Sequence, residues 1–305
     1  MALLVVGSVA LDSIETPFGV APEVLGGSAS YFSVAASFFT KVQMVGVVGS
    51  DFPGEHLDLF RSRGIDTSGL LKVEGETFRW HGRYGYDLNT AITIDTRLGA
   101  FSDFNPVLPD GYRDSKYVFL ANIDPEIQMK VLDQVKRPTL VAADTMNFWI
   151  ERKREALEEV VRRVDVVIIN EAEAREFSQE VNLVTAARKI RELGPRLLLV
   201  KRGEYGVLMF TDGGIFSAPA YPLERVFDPT GAGDSFAGGF MGFLANARDH
   251  REENLRQAVV LGSVMASFCV EEFSLNRLWN LTRQDIERRY KEFQALTRFE
   301  DLKLD

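Results

Sequence analysis

The sequence predicts an α/β fold with a mostly parallel central sheet and one small β-hairpin insertion. Three observations predict it. Short apolar runs alternate with helical segments along almost the whole chain. Four of the runs end on a polar residue of a type that binds ligands. One stretch, residues 77–95, instead alternates every second residue. A chain of 305 residues fits one α/β unit, and no repeat, low-complexity stretch or long linker divides it, so a single domain over residues 1–305 is expected.

Taken in order, residues 3–7 are a short apolar run, the pattern of a strand buried on both faces. The run opens into Gly7-Ser8-Val9-Ala10-Leu11-Asp12. Ligands of α/β sheets lie beyond the carboxyl ends of the strands, which makes Asp12 a candidate; alone, it reads equally as a turn or cap carboxylate. Gly26-Gly27 precedes residues 28–39, small and aromatic, which read as a buried helix. Residues 42–48 read as a strand and 54–63 as a short helix. In residues 77–84, Phe78, Trp80 and Tyr84 share one face, and Arg79, His81 and Arg83 the other. A turn at 86–89 and renewed alternation at 90–95 complete an antiparallel hairpin, which by itself is a solvated edge feature.

Regular alternation follows. Residues 117–121 lead to Asn122, 140–143 to Asp144, 166–169 to Asn170 and 197–200 to Lys201. In a parallel sheet these ends lie along one edge, the strongest sign of a site that the residues give unaided. Residues 151–163 form an amphipathic surface helix, and 182–193 a helix stopped by Gly194-Pro195. Asp212-Gly213-Gly214 is a hairpin turn between 206–211 and 215–220. Residues 255–270 and 282–295 read as an apolar and a charged helix.

The most informative stretch is Asp228-Pro229-Thr230-Gly231-Ala232-Gly233-Asp234-Ser235-Phe236. Pro229 forces a turn, and the glycines leave no Cβ between main chain and ligand. A Gly-rich turn that opens a helix gathers free N–H groups at the positive end of the helix dipole, which makes an anion site suited to phosphate. Asp234 is costly beside such a site unless it handles a proton; a helix N-terminus should hold it ionised unless its neighbours oppose this. The stretch is not a P-loop, because G-x-x-x-x-G-K-[ST] is absent. It is not the dinucleotide fingerprint, because Phe236 stands where the third glycine would be.

The string D-P-T-G-A-G-D-S-F resembles the signature of the ribokinase-like (PfkB) carbohydrate kinases. The early Asp, the Gly pair, the hairpin, N-x-x-E and K-x-G follow that family's order along nearly the whole chain. The resemblance implies a three-layer α/β/α fold with a β-lid, formed here mainly by about 12–25 and 74–105. It implies ATP as phosphoryl donor, Asp234 as the base, and the amides of Gly231, Ala232 and Gly233 as the anion hole. Asp12, Gly26, Gly27 and Arg79, with Asp234, would meet the substrate. So would Tyr31, where many members carry Asn, which puts ribose itself in doubt. Asn170, Lys201, Gly203 and Thr230, with Gly231 and Gly233, would meet the nucleotide. Asn170 and Glu173, i and i+3 at a helix start, would order Mg²⁺ through water, although the same pair read alone is a cap. Asp228 and Thr230 match positions that hold a monovalent cation such as K⁺ in some members, and they equally hold the turn. The lid serves some relatives as a homodimer surface.

Composition narrows the partners. The net charge is −9, from 35 basic and 44 acidic residues, with no basic stripe for nucleic acid. Cys269 is the one cysteine and sits in an apolar run; the three histidines are scattered and give no zinc spacing. Neither a signal-peptide pattern nor a membrane-length apolar run is present, so a cytoplasmic location is expected. The expected activity is an ATP-dependent kinase acting on a hydroxyl of a small sugar or sugar-like molecule. Three alternatives stay open: a nucleoside kinase, with Phe78, Trp80, Tyr84, Phe101 and Phe104 available to stack on a base; a phosphosugar kinase using Arg79 and Arg83; and a non-catalytic sugar or nucleotide sensor.

Overall fold

The computed structural model describes residues 2–300. Thirteen strands are defined among them: β1 (Ala2–Val6), β2 (Ala10–Thr16), β3 (Gly19–Gly26), β4 (Lys41–Val48), β5 (Asp66–Lys72), β6 (Phe78–Tyr84), β7 (Ala91–Arg97), β8 (Tyr117–Leu120), β9 (Leu140–Asp144), β10 (Val166–Asn170), β11 (Leu197–Lys201), β12 (Val207–Thr211) and β13 (Gly214–Ala218). They form two sheets. The nine-stranded sheet runs β13-β12-β11-β10-β9-β8-β1-β4-β5, and the four-stranded sheet runs β3-β2-β6-β7. From β11 to β5 every neighbouring pair is parallel. In this sheet β12 alone is reversed, running against both β11 and β13.

The strand period divides the core in two. Leu3 and Val5 of β1 face one layer, and Leu4 and Val6 face the other. The first layer holds the helices Ser28–Ala36, Ala232–Ala247 and Glu252–Cys269. The second holds the helices Arg154–Arg163 and Leu183–Glu192, with their apolar faces inward. Each fully buried Leu, Val or Phe side chain contributes about 1.5–3 kcal/mol. The three-layer α/β/α expectation is met.

Two features lay outside the local pattern. β5 is a half-exposed edge strand that pairs only with β4. Asp12 does not sit in a loop after β1; it lies inside β2, which pairs with β3 and, in parallel, with β6. The hairpin of residues 77–95 is therefore half of a small sheet rather than an isolated insertion.

Candidate active site

The carboxyl ends of β9, β10 and β11 are neighbours, and each delivers a polar residue to one cleft. β11 ends in Lys201, whose Nζ lies 3.1 Å from Asp144 Oδ2 at the end of β9. That ammonium is also only 2.9 Å from the position a Cβ on Gly233 would take. The sheet edge thus holds a cation beneath the Gly-rich turn. The sequence marks Asp144 as a ligand-type residue at a strand end. The structure gives it the task of fixing Lys201 across two βα units.

The turn itself is built as the sequence requires. Gly231 takes a left-handed φ of 75° and caps the helix Ala232–Ala247. The ring of Tyr31 lies directly beneath it, where any Cβ would collide. Ala232 N–H turns to the Pro229 carbonyl at 3.2 Å. Of the three amides expected to form an anion hole, that of Ala232 is engaged within the turn.

Asp234 stands in the first turn of this helix. Part of its surface opens to the cleft, but protein atoms surround the rest. Burial pushes its pKa up to about 7, and Asp144 adds to the rise while Lys201 opposes it. The helix N-terminus is expected to hold it ionised unless its neighbours oppose this, and here burial and Asp144 do oppose it. A helix terminus contributes about 0.3–1 kcal/mol, whereas full burial moves a carboxyl by up to about 3–5 pKa units of 1.36 kcal/mol each. Burial also raises Glu173, against the pull of Lys201. Lys201 loses some proton affinity to burial, yet Asp144, Glu173 and Asp234 outweigh this and raise it.

Asn170 and Glu173 form a reciprocal cap. Asn170 Oδ1 accepts from Glu173 N–H, and Glu173 Oε2 accepts from Asn170 N–H, both at 2.8 Å. The cap leaves Glu173 Oε1 and the Asn170 amide nitrogen for other work. Among the described residues, no group of three or more acid, histidine or cysteine side chains can hold a metal ion. The hard oxygen donors of Glu173 and Asp144, beside Lys201, are of the kind that fit Mg²⁺ held by phosphate oxygens and water with a carboxylate or two behind.

On the facing side, Asp12 is buried, accepts from Gly27 N–H, and has an Oδ1 without a partner. Burial pushes it up to about 7. A Cβ on Gly26 would collide with its carboxylate, so that glycine is a matter of space. Asp12 and Trp80 are register neighbours on one face of the small sheet. The Trp80 indole lies across Gly82, again where a Cβ would collide, and its Nε1–H donates to Thr93 Oγ1 at 3.2 Å. Tyr84, on the same face, brings its hydroxyl 3.3 Å from that of Thr230.

Two expected substrate contacts are placed elsewhere. Arg79 lies on the opposite face, with Leu11 rather than Asp12, and is held by Glu23 at 2.9 Å and Asp51 at 2.7 Å. It is committed within the protein. Tyr31 is buried under the turn rather than facing the cleft, and burial followed by Asp228 pushes its phenol well above the usual range. Asp228 and Thr230 serve the turn. Asp228 accepts from Thr230 N–H and Ser274 N–H, both at 2.9 Å, and the Thr230 carbonyl accepts from Cys269 Sγ at 3.5 Å. Each of these oxygens accepts one bond, and together the bonds hold the turn.

Comparison with known proteins agrees with this geometry. The profile of the pfkB family carbohydrate kinases matches residues 22–280. A cytidine kinase of Thermococcus kodakarensis is 33% identical over 256 residues, covering 82% of this chain and 91% of that one. The solved nucleoside kinase of Methanocaldococcus jannaschii superposes with a TM-score of 0.77 at 23% identity, covering 95% of this chain and 98% of that one. The Burkholderia thailandensis nucleoside kinase, solved in complex with inosine, gives 0.77 at 18% identity over 96% and 97%.

Proposed function

The chain belongs to the pfkB family of carbohydrate kinases, and from that premise we propose that it is an ATP-dependent nucleoside kinase. It moves the γ-phosphoryl group of ATP to a hydroxyl on the sugar of a nucleoside. The observation that carries the nucleoside reading is the Trp80 indole, packed against Gly82 on the face that bears Asp12. A sugar bound through its hydroxyls to Asp12 would set its base against that ring, about one strand spacing away. The similarity to a cytidine kinase supports the same reading and favours a pyrimidine. The arginines that a phosphosugar would need are turned away and ion-paired.

Phosphoryl transfer asks a protein mainly for positioning and neutralised charge. Gly231 and Gly233 N–H groups and the helix dipole receive the transferring group. Lys201, held by Asp144, lies under it. Asp234 takes the proton of the attacking hydroxyl; its raised proton affinity makes it a better base near neutral pH. Mg²⁺, which with ATP is general to kinases of this family, neutralises phosphate charge, and Glu173, Asn170 and Asp144 would hold its waters. A sensor would have no use for a buried base beside an anion hole. We place the enzyme in the cytoplasm, where ATP is supplied. We also propose that a second copy covers the outer face of the small sheet, where Val20 and Ile92 are exposed; light scattering would report a dimer.

The test is a screen of nucleosides, free sugars and phosphosugars for stimulated ADP release. Nucleosides should be the best acceptors. Trp80→Ala should raise the acceptor KM by the value of one stacked base, about 1–3 kcal/mol or roughly 5- to 150-fold. Preference for a free sugar, or an unmoved KM, would overturn the nucleoside reading.

A further inference from the structure

We propose that the tip of the β6–β7 hairpin is part of the nucleotide site, with Asn89 as its contact residue, so that one lid closes over both substrates. The hairpin lands twice on the large sheet. At the end of β6, the Tyr84 hydroxyl meets the Thr230 hydroxyl at 3.3 Å. At the tip, the Asn89 side chain rests on Gly203, where any Cβ would collide with Asn89 Oδ1. Gly203 also holds a left-handed φ of 55°, so both its conformation and its bareness are used.

These two landings flank the phosphate site. Thr230 immediately precedes Gly231. Gly203 is two residues beyond Lys201, the cation 2.9 Å from the Cβ position of Gly233. A nucleotide whose phosphates reach Lys201 from the end of β11 must pass Gly203, and there it meets the tip. Asn89 is oriented for that meeting. Its Nδ2 donates to the Asp87 carbonyl at 2.8 Å, which turns Oδ1 toward Gly203. The same small sheet carries Asp12 and Trp80 on β2 and β6, so the element that covers the acceptor also touches the nucleotide side. Two ligands that both favour one closed lid must tighten each other by the same factor.

This inference rests on phosphoryl transfer at the Gly231–Asp234 turn and not on the identity of the acceptor. Its test uses the full chain, Asn89→Ala and Asn89→Asp. Calorimetry would measure the affinity for a non-hydrolysable ATP analogue with Mg²⁺, first with no acceptor, then with whichever acceptor the screen finds. In the parent, acceptor and nucleotide should tighten each other on the order of fivefold or more. Asn89→Ala should weaken nucleotide binding and reduce that coupling. Asn89→Asp should weaken nucleotide binding further, because it turns a carboxylate toward phosphate. The acceptor affinity measured without nucleotide should stay near the parent value, while its tightening by nucleotide shrinks. Parent-like nucleotide affinity in both variants would overturn the proposal. So would equal losses for nucleotide and acceptor, which would mark the tip as a purely structural support. The acceptor-free arm keeps its meaning even if nucleosides prove not to be substrates.

Discussion

Two regions of this molecule concentrate charge, and they treat it in opposite ways. On the outer face of the small sheet, Glu15 is bonded to Arg83 and His81, and Asp51 to Arg79 and Thr77. Hydrogen bonds from Arg83 and His81 hold Glu15 below its usual range, and Thr77 and Arg79 do the same for Asp51 against the effect of burial. At the candidate site, Asp12 on the small sheet and Glu173 and Asp234 across from it are all raised by burial, and Lys201 opposes the rise for the last two. The outer cluster is complete in itself. The inner one holds carboxyls whose charge the fold opposes, a cost that makes sense when a ligand or a proton is to be met there. Paired charge marks structure, and strained charge marks chemistry.

The comparison breaks most sharply at Asp234. Asn keeps the size and the place in the first helical turn, so Asp234→Asn should fold and bind ATP while losing about 10²–10⁴-fold in kcat. A folded variant with close to parental turnover would reduce Asp234 to a structural residue. The next largest effect should be with pH. The working base is the carboxylate, so kcat/KM should rise with pH through about 7, where Asp234 and Asp12 ionise, and then level off. A limb near pH 4 would mean that burial does not govern these groups. Glu173→Gln retains an oxygen for the Asn170 cap, so the fold should hold while the Mg²⁺ needed for half-maximal rate rises several-fold. An unchanged Mg²⁺ titration would remove Glu173 from the site. The smallest effect should come from the outer cluster. Arg83→Ala removes an exposed partner of Glu15, and both the melting temperature and the acceptor KM should stay close to the parent. A large rise in KM would mean that the basic face meets substrate after all.

What the sequence made legible was local. The turn at Asp228–Asp234 carries its geometry in consecutive residues, and the apolar runs before Asp144, Asn170 and Lys201 announce a parallel sheet and its ligand edge. What it hid was non-local. Nothing near Lys201 names Asp144 as its partner, 57 positions away. Nothing near Arg79 shows that Glu23 and Asp51 will occupy it. Burial is the sum of such distant neighbours, which is why the helix terminus, a local feature, does not by itself decide the sign for Asp234. β2 is not legible from alternation alone, because Asp12, Ser13 and Glu15 interrupt an otherwise strand-like run; the family resemblance is what assigns 12–25 to the lid.

The scattering of the site along the chain has a consequence for folding. Asp12 comes from β2, Asp144 from β9, Glu173 from the helix after β10, Lys201 from β11, and Asp234 from the helix Ala232–Ala247. No short fragment contains them, and each is set by contacts of long sequence separation, the slowest kind to form. Catalysis therefore serves as an assembly clock. During refolding, helical signal should return before turnover, because turnover waits for the last strand to take its place at the edge.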